Sequence, residues 1–305
     1  MSEFRREKPE SFASPTQLPR TSAEAAEWQK SNSDWWEKNP MRYDWKSSIP
    51  HEKFSREFFN EIDDRFFSAA REYLDPHSAI PFDEFIHFDS LKDKRVLEIG
   101  IGNGSHAQFL ARYSKSFTGI DITEYAVMST KARMKVFGLK GDIGKMDAEK
   151  LEFDDDSFDF VWSWGVIHHS SDTTKILREI HRVLRPGGRA VIMVYHRGWW
   201  NYYVTGALEG LVSGNLLKTK SLGESVQLHT DGALARYYSK RDWIRVTRPL
   251  FAEASVCVRG PKSDIIPLPA GKLKNLVSSF LPLTLCRFLT GRFEMGGFLV
   301  SGLVK

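Results

Sequence analysis

The sequence predicts an α/β protein built on a mostly parallel sheet, and three observations carry that reading. From Arg95 onward, short apolar runs alternate with amphipathic stretches, the pattern of parallel strands joined by right-handed helical crossovers. The first run ends in a glycine-rich turn, Glu98-Ile-Gly100-Ile-Gly102-Asn-Gly104. The second ends in an acid, Asp121, 17 residues after Gly104.

Taken in order, residues 1–25 are rich in Ser, Pro, Arg and Glu and are expected to form a mobile tail. Residues 26–94 read as an aromatic helical cap, because Phe54, Phe58, Phe59, Ile62, Phe66 and Phe67 recur at helical spacing. The α/β domain spans residues 95–305. RVLEIG is a buried strand and SHAQFLARYS a helix. SFTGID is the second strand, and Thr123 and Gly138 bracket the second helix as N-cap and stop. LKGDI is a weak third strand and SFDFVWSW the fourth. Asp172 caps the next helix, which ends at Arg185-Pro186-Gly187-Gly188 before the fifth strand, RAVIMVYH. Residues 197–248 break the alternation as a helical lid, and FAEASVCV resumes it. Residues 260–292 form a second helical insertion. Its stretch NLVSSFLPLTLCRFL is expected to pack its apolar face on the core or the lid, although the basic residues Lys272, Lys274, Arg287 and Arg292 leave open a weak membrane-surface contact. FEMGGFLVSGLVK closes the chain as a strand.

Composition narrows the class. A chain of 305 residues with 41% hydrophobic and 27% charged residues is an ordinary globular protein, neither disordered nor collagen-like. Its length is compatible with about two domains or with one decorated core. The formal net charge of +4 is mild, and no nucleic-acid partner is expected. Cys257 and Cys286 lack metal-ligand spacing and read as inert core residues. The N-terminus has no apolar run and no stretch reaches 18 apolar residues, so neither a signal peptide nor a transmembrane span is expected, and a cytoplasmic location is the default. Aromatics reach 13%. Trp28, Trp35, Trp36, Tyr43, Trp45, Phe58, Phe59, Trp199, Trp200, Tyr202 and Tyr203 either wall a substrate pocket or pack two decorations onto the core.

The glycines at 100, 102 and 104 let the backbone turn tightly and approach a ligand closely. By themselves they do not separate a dinucleotide site from other adenosine-containing ligands. Asp121 can accept hydrogen bonds from both hydroxyls of a ribose, with helix capping as its structural alternative, and Ile122 beside it can pack on an adenine face. Asp147-Ala148 follows the third strand, where a polar side chain can receive the adenine amino group. Ser163-Trp164 and the pair His168-His169 leave the fourth strand, and Leu184-Arg-Pro-Gly-Gly188 precedes the fifth. The run Asp154-Asp155-Asp156 reads as a solvated turn, and no metal is expected.

These features, in this order and spacing over residues 95–196, resemble the class I S-adenosylmethionine-dependent methyltransferases, in particular the small-molecule group called type 11. A nicotinamide dehydrogenase would account for the glycines and Asp121 but not for the remaining matches. The resemblance implies a Rossmann-like seven-stranded sheet, mostly parallel, whose last strand is antiparallel between strands five and six. It makes Gly100, Gly102 and Gly104 the platform for the methionine half of the cofactor. Glu98 then holds that loop or meets the amino group, Asp121 holds the ribose, Ile122, Asp147 and Ala148 border adenine, and Ser163 and Trp164 face the methyl end. The implied cofactor is S-adenosyl-L-methionine, with S-adenosyl-L-homocysteine as product.

Methyl transfer from a sulfonium is a direct displacement, so the protein supplies mostly position. A hydroxyl acceptor also needs a base, a task suited to histidine. Some sugar O-methyltransferases of this class use an adjacent histidine pair here, which makes His168 and His169 the candidate catalytic residues. Those enzymes also place an acid at the end of strand five, where this chain has Tyr195 and His196. These two, with Tyr43 and Tyr237, are the candidate acceptor-binding residues. The expected reaction is O-methylation of a small molecule. C-methylation of a quinone or lipid-like ring and a non-catalytic cofactor-binding subunit stand as alternatives, and oligomeric state is left open.

Overall fold

A computed structural model describes residues 9, 11–12, 14–44, 47–268 and 271–305. Trp45 lies outside the described residues. The cap contributes α1 (Ser22–Lys38), α2 (Arg56–Ala70) and α3 (Asp83–Ile86). The sheet domain then runs β1 (Arg95–Ile99), α4 (Ser105–Tyr113), β2 (Ser116–Asp121), α5 (Glu124–Phe137), β3 (Asp142–Lys145), β4 (Phe158–Trp164), α6 (Thr173–Val183) and β5 (Leu184–His196). A π-helical segment, Trp199–Thr205, leads into α7 (Gly206–Val212), α8 (Asn215–Thr219), α9 (Leu222–Gln227), β6 (Tyr237–Tyr238) and α10 (Lys240–Thr247). The chain closes with β7 (Glu253–Arg259), α11 (Lys272–Phe280), α12 (Leu283–Arg292) and β8 (Phe298–Val304).

The strand order is β3-β2-β1-β4-β5-β8-β7. The first five strands are parallel, and β8 runs antiparallel between β5 and β7. This is the seven-stranded arrangement expected from the sequence, with one addition. β4 pairs with β5 as far as Met193, and β6 then takes up that edge, pairing Tyr195 with Tyr237 and His196 with Tyr238. The sheet is thereby prolonged above the point where β4 leaves it.

Alternation along each strand builds two cores. Leu97, Val161, Ile192 and Leu299 face α6 and Trp243 of α10. Val96, Phe160, Trp162 and Val191 face the cap, against Phe66, Phe82 and Phe88. Ser55 caps α2, accepting from Phe58 N–H, and Thr123 caps α5, accepting from Ala126 N–H. The Arg185–Gly188 segment does not stop α6 as a glycine cap. The helix ends at Val183, Leu184 is already extended, and the segment bulges out of β5 between its pairings with Phe158 and Phe160. Gly187, at φ +75°, donates to the carbonyl of Lys305.

Two expectations change at the periphery. In the stretch read as a mobile tail, Phe12 is buried against Trp28 and Leu234, Arg236 donates to the carbonyl of Gln17, and α1 begins at Ser22. A single buried aromatic has no periodicity to announce it. The acidic run is an exposed turn, as expected, with Asp155 paired to Arg182 and Asp156 to Lys305. α11 buries none of its residues, and α12 buries only Cys286 and Thr290, so the apolar faces of the second insertion are turned largely to solvent. No helix among the described residues is long and apolar enough to cross a membrane.

Candidate active site

At the carboxyl ends of β1, β2, β4 and β5, where open α/β sheets bind their ligands, lies a cavity of about 390 Å³. Its floor is the turn after β1. Gly100, Gly102 and Gly104 all have positive φ, at +82°, +52° and +80°. A Cβ at Gly100 would stand 2.2 Å from Val166 Cγ2, whereas at Gly102 nothing lies within 4 Å. Gly100 is thus glycine for packing. Gly102 presents bare backbone to the cavity. Gly104 is the residue before α4 and does not line the cavity.

Asp121 ties this floor to the next turn. One carboxylate oxygen accepts from Gly102 N–H (3.2 Å), the other from the backbone N–H and hydroxyl of Thr123 (3.0 and 2.8 Å). Burial pushes its carboxyl upward against the opposing effect of these bonds. Asp121 therefore both organises the turns and lines the cavity, and Ile122, Asp147 and Ala148 line it too.

Glu98 is buried inside β1 behind that floor. Its Oε1 is 3.7 Å from His106 Nδ1, and its Oε2 has no partner among the described residues. Burial, reinforced by the charge of Asp121, holds its carboxyl well above the usual range. Burial, together with the charge of Arg133, pushes His106 down to about 3, so this imidazole is neutral.

Strand alternation divides the residues that leave β4 and β5. Trp164 reaches the cavity, stacked 5.2 Å from Trp162 and edge-on to Phe82. Ser163 does not. Its hydroxyl donates to Ile99 carbonyl (3.2 Å), bracing the strand from which the glycine turn departs. Tyr195 lines the cavity, but His196 points to the opposite face, its Nδ1 2.7 Å from the carbonyl of Gly296. Tyr43 also lines the cavity, tilted against Phe66. Tyr237 stands behind Tyr195, ring centroids 5.2 Å apart, with its hydroxyl on Thr230 Oγ1 (2.7 Å). Expectations for Ser163, His196 and Tyr237 as direct contacts thus give way to supporting positions.

The histidine pair is split by the tight turn at 167–169. His169 lines the cavity, and its Nδ1 is 2.8 Å from the carbonyl of Leu234. A carbonyl only accepts, so Nδ1 carries the hydrogen and the lone pair is on Nε2. His168 does not line the cavity. It is fully buried, tilted on Tyr195 at 3.9 Å, and neither ring nitrogen has a partner among the described residues. Burial, with His169 beside it, drives its pKa well below the ordinary value.

The roof comes from the cap. Gln29, Asn32 and Trp36 of α1, Met41, Ile62, Phe66 and Tyr73 line the cavity, whereas no residue of 197–248 does. The lid acts indirectly, through Leu234 on His169 and through β6. Gln29 and Asn32 carry no signal in the sequence, because their approach depends on how the cap folds back, whereas His106 stands in the first turn of α4, directly after the glycine turn. Asn103 was given no role from the sequence, although it sits inside the glycine motif: its Nδ2 donates to Met41 carbonyl (2.7 Å), joining floor to roof.

An adenosine-methionine ligand fits these residues. The cavity has open backbone at Gly102, acids at Asp121 and Asp147, and the buried atoms Asn32 Oδ1 and His106 Nε2, which have no partner among the described residues, on lining residues.

Residues 97–192 match a family model described as a methyltransferase domain. The phthiotriol/phenolphthiotriol dimycocerosates methyltransferase of Mycobacterium tuberculosis is 40% identical over 100 residues, covering 32% of this chain and 36% of that protein. The 27-O-demethylrifamycin SV methyltransferase of Amycolatopsis mediterranei is 37% identical over 105 residues, 32% of this chain and 37% of that one. The chain thus matches little more than a third of the length of these curated relatives. Among solved structures, the YcgJ protein of Bacillus subtilis aligns over 73% of this chain and 97% of its own, at 19% identity and a TM-score of 0.47.

Proposed function

We propose that this chain, whose residues 97–192 match a family model described as a methyltransferase domain, is a class I S-adenosylmethionine-dependent methyltransferase that methylates a hydroxyl of a small-molecule acceptor, with His169 receiving the proton. The observation that carries this reading is the bond between His169 Nδ1 and Leu234 carbonyl, which turns the basic nitrogen away from the lid on a residue of the cavity wall. S-adenosylmethionine bound in the cavity supplies an electrophilic methyl group and leaves as S-adenosylhomocysteine.

In this reading Gly100, Gly102 and Asp121 hold the methionine and ribose portions, and Ile122, Asp147 and Ala148 border the adenine. Glu98 and Gly104 shape the loop from behind. The aromatic wall of Trp164, Tyr195, Tyr73 and Phe298 holds the acceptor and excludes water. Desolvation matters here because a hydrated hydroxyl is a poor nucleophile. His168 and Tyr237 fix Tyr195 and the loop, and the two insertions at 197–248 and 260–292 are decorations on one domain of residues 95–305.

Two relatives are named for acting on phthiotriol dimycocerosates and on 27-O-demethylrifamycin SV, which favours an acceptor with a large apolar body. The test is turnover of methyl-labelled cofactor by the purified chain against a panel containing both acceptor types. Label recovered on oxygen supports the reading. Label on carbon replaces it with C-methylation, and tight cofactor binding without turnover of any acceptor replaces it with a non-catalytic role.

A further inference from the structure

The second insertion carries an amphipathic helix placed the wrong way round for a protein core. In α11, Leu273, Leu276, Val277 and Phe280 stand at i, i+3, i+4 and i+7, the stripe that normally packs inward. Here all four face solvent, Phe280 at 79% exposure. α12 adds Leu283, Leu285 and Phe288, and Phe293 follows it.

The apolar surface continues into the first insertion. Lys274 Nζ lies 4.0 Å from Glu209, setting α11 beside α7, whose Leu208, Leu211 and Val212 are exposed. Trp199 donates its indole N–H to Phe293 carbonyl (2.9 Å), joining the far end of α12 to the exposed Trp199. Contiguous apolar surface of this kind marks an interaction site rather than ordinary exposure.

Charge selects the partner. Lys272 and Arg292 are exposed at the two ends of residues 271–293, and Lys218 and Lys220 are exposed at the end of α8, whereas Lys274 is paired with Glu209 and Arg287 donates to backbone carbonyls. Cations bordering exposed Leu, Phe and Trp are the chemistry of a helix lying in the headgroup region of an anionic bilayer. The geometry points to this face, α11–α12 with α7, docking on an anionic phospholipid surface.

The position relative to the cavity gives such docking a use. Pro261 lines the cavity and begins the short 262–265 turn, and Ile265 and Ile266 share a cluster with Cys286 and Leu289 of α12. Lys262 N–H donates to Glu72, and Arg287 to the carbonyls of Arg71 and Glu72, next to Tyr73 on the cavity wall. The lipid-facing helices are thus fastened to the acceptor end of the cavity, and a membrane-dissolved acceptor reaches it without crossing bulk water. This last step rests on the methyl-transfer reading, but the docking does not, so vesicle binding is measured without turnover.

The full chain is floated with vesicles of phosphatidylglycerol and phosphatidylcholine, with pure phosphatidylcholine, and without lipid. Binding to the anionic vesicles that weakens in high salt is expected. Leu276→Asp/Phe280→Asp should reduce it by about tenfold or more, and Lys272→Glu/Arg292→Glu by a smaller factor. Both variants should keep wild-type affinity for S-adenosylhomocysteine, since none of these residues lines the cavity. A wild-type chain that stays unbound with anionic vesicles overturns the proposal. So does a dimer in size-exclusion chromatography that Leu276→Asp/Phe280→Asp dissociates while vesicle binding is unchanged, because the face then belongs to a second copy of the chain.

Discussion

Gln29 and Asp147 stand 118 residues apart in the chain and meet at 2.8 Å, the amide Nε2 of one donating to Oδ1 of the other. The same glutamine accepts from Ser171 N–H through its Oε1 at 3.0 Å. One side chain of the cap therefore latches the loop after β3 to the turn after β4, across the adenine end of the cavity. Gln29→Ala removes both bonds. With the bond to the Asp147 carboxylate contributing about 1.5–3 kcal/mol and the amide bond to Ser171 about 1 kcal/mol, affinity for S-adenosylhomocysteine should fall by roughly a hundredfold, mostly through faster dissociation. Stopped-flow displacement measures this. An unchanged dissociation rate would mean that α1 takes no part in retention.

Asp121→Asn should weaken cofactor binding by about tenfold to a hundredfold, the range for losing a charged acceptor. Because Asp121 also accepts from Gly102 and Thr123, some of this loss should come from a looser turn. Calorimetric titration beside a melting curve separates the two. Unchanged affinity would remove Asp121 from the ribose site.

The two glycines of the floor should respond oppositely. Gly100→Ala drives a Cβ into Val166 and should destabilise the fold outright. Gly102→Ala meets no protein atom, so it should cost only about 1–2 kcal/mol of backbone strain, and it should lose cofactor affinity far beyond that. Thermal denaturation with and without S-adenosylhomocysteine reads both. A Gly102→Ala variant that binds normally would show that the cofactor does not approach this backbone.

The histidines should part company in single-turnover methyl transfer. His169→Asn keeps a donor toward Leu234 but removes the basic nitrogen, and its rate should fall by about a hundredfold to ten-thousandfold. His168→Phe should keep the rate, since His168 does not line the cavity. If His168→Phe is the slower variant, the assignment of the base is reversed.

His168 should instead govern acid stability. Its folded pKa lies well below the ordinary 6.5, so below that pH the unfolded chain takes up a proton that the folded chain refuses. The stability is complete above about pH 6.5 and is lost as pH falls through it, by up to about 1.4 kcal/mol per pH unit. Glu98, shifted upward, acts in the opposite sense. The difference between wild type and His168→Phe isolates the histidine: the variant should show the flatter loss of stability between pH 6.5 and 5. Parallel curves would mean that His168 titrates normally.

The floor of the site was legible because it is local. The glycines, Asp121, Ile122, Asp147 and Ala148 lie at strand ends, and strand ends follow from periodicity and turn chemistry. The roof was not. Asn32 and Trp36 reach the cavity only after α1 folds back over it, a placement set by long-range packing such as Trp28 against Phe12 and Leu234. Ser163 and His196 were misplaced for a simpler reason: neighbouring residues on a strand face opposite ways, and the motif did not reveal which of Ser163–Trp164 or Tyr195–His196 turned inward. The solvent-facing stripe of α11 was hidden because periodicity reports that a helix has an apolar face, not what covers it.

The pairing of Tyr195 with Tyr237 and of His196 with Tyr238 has a consequence for how this scaffold can vary. Between those pairs the chain makes a closed excursion through α7, α8 and α9, leaving and re-joining the sheet at adjacent backbone positions. Closing a longer excursion costs only logarithmically more entropy, and none of its residues lines the cavity. The segment therefore behaves as a cassette. Helices can be lengthened, exchanged or grafted there without resetting the strand register or the geometry of the floor, provided that Leu234 returns to hold His169.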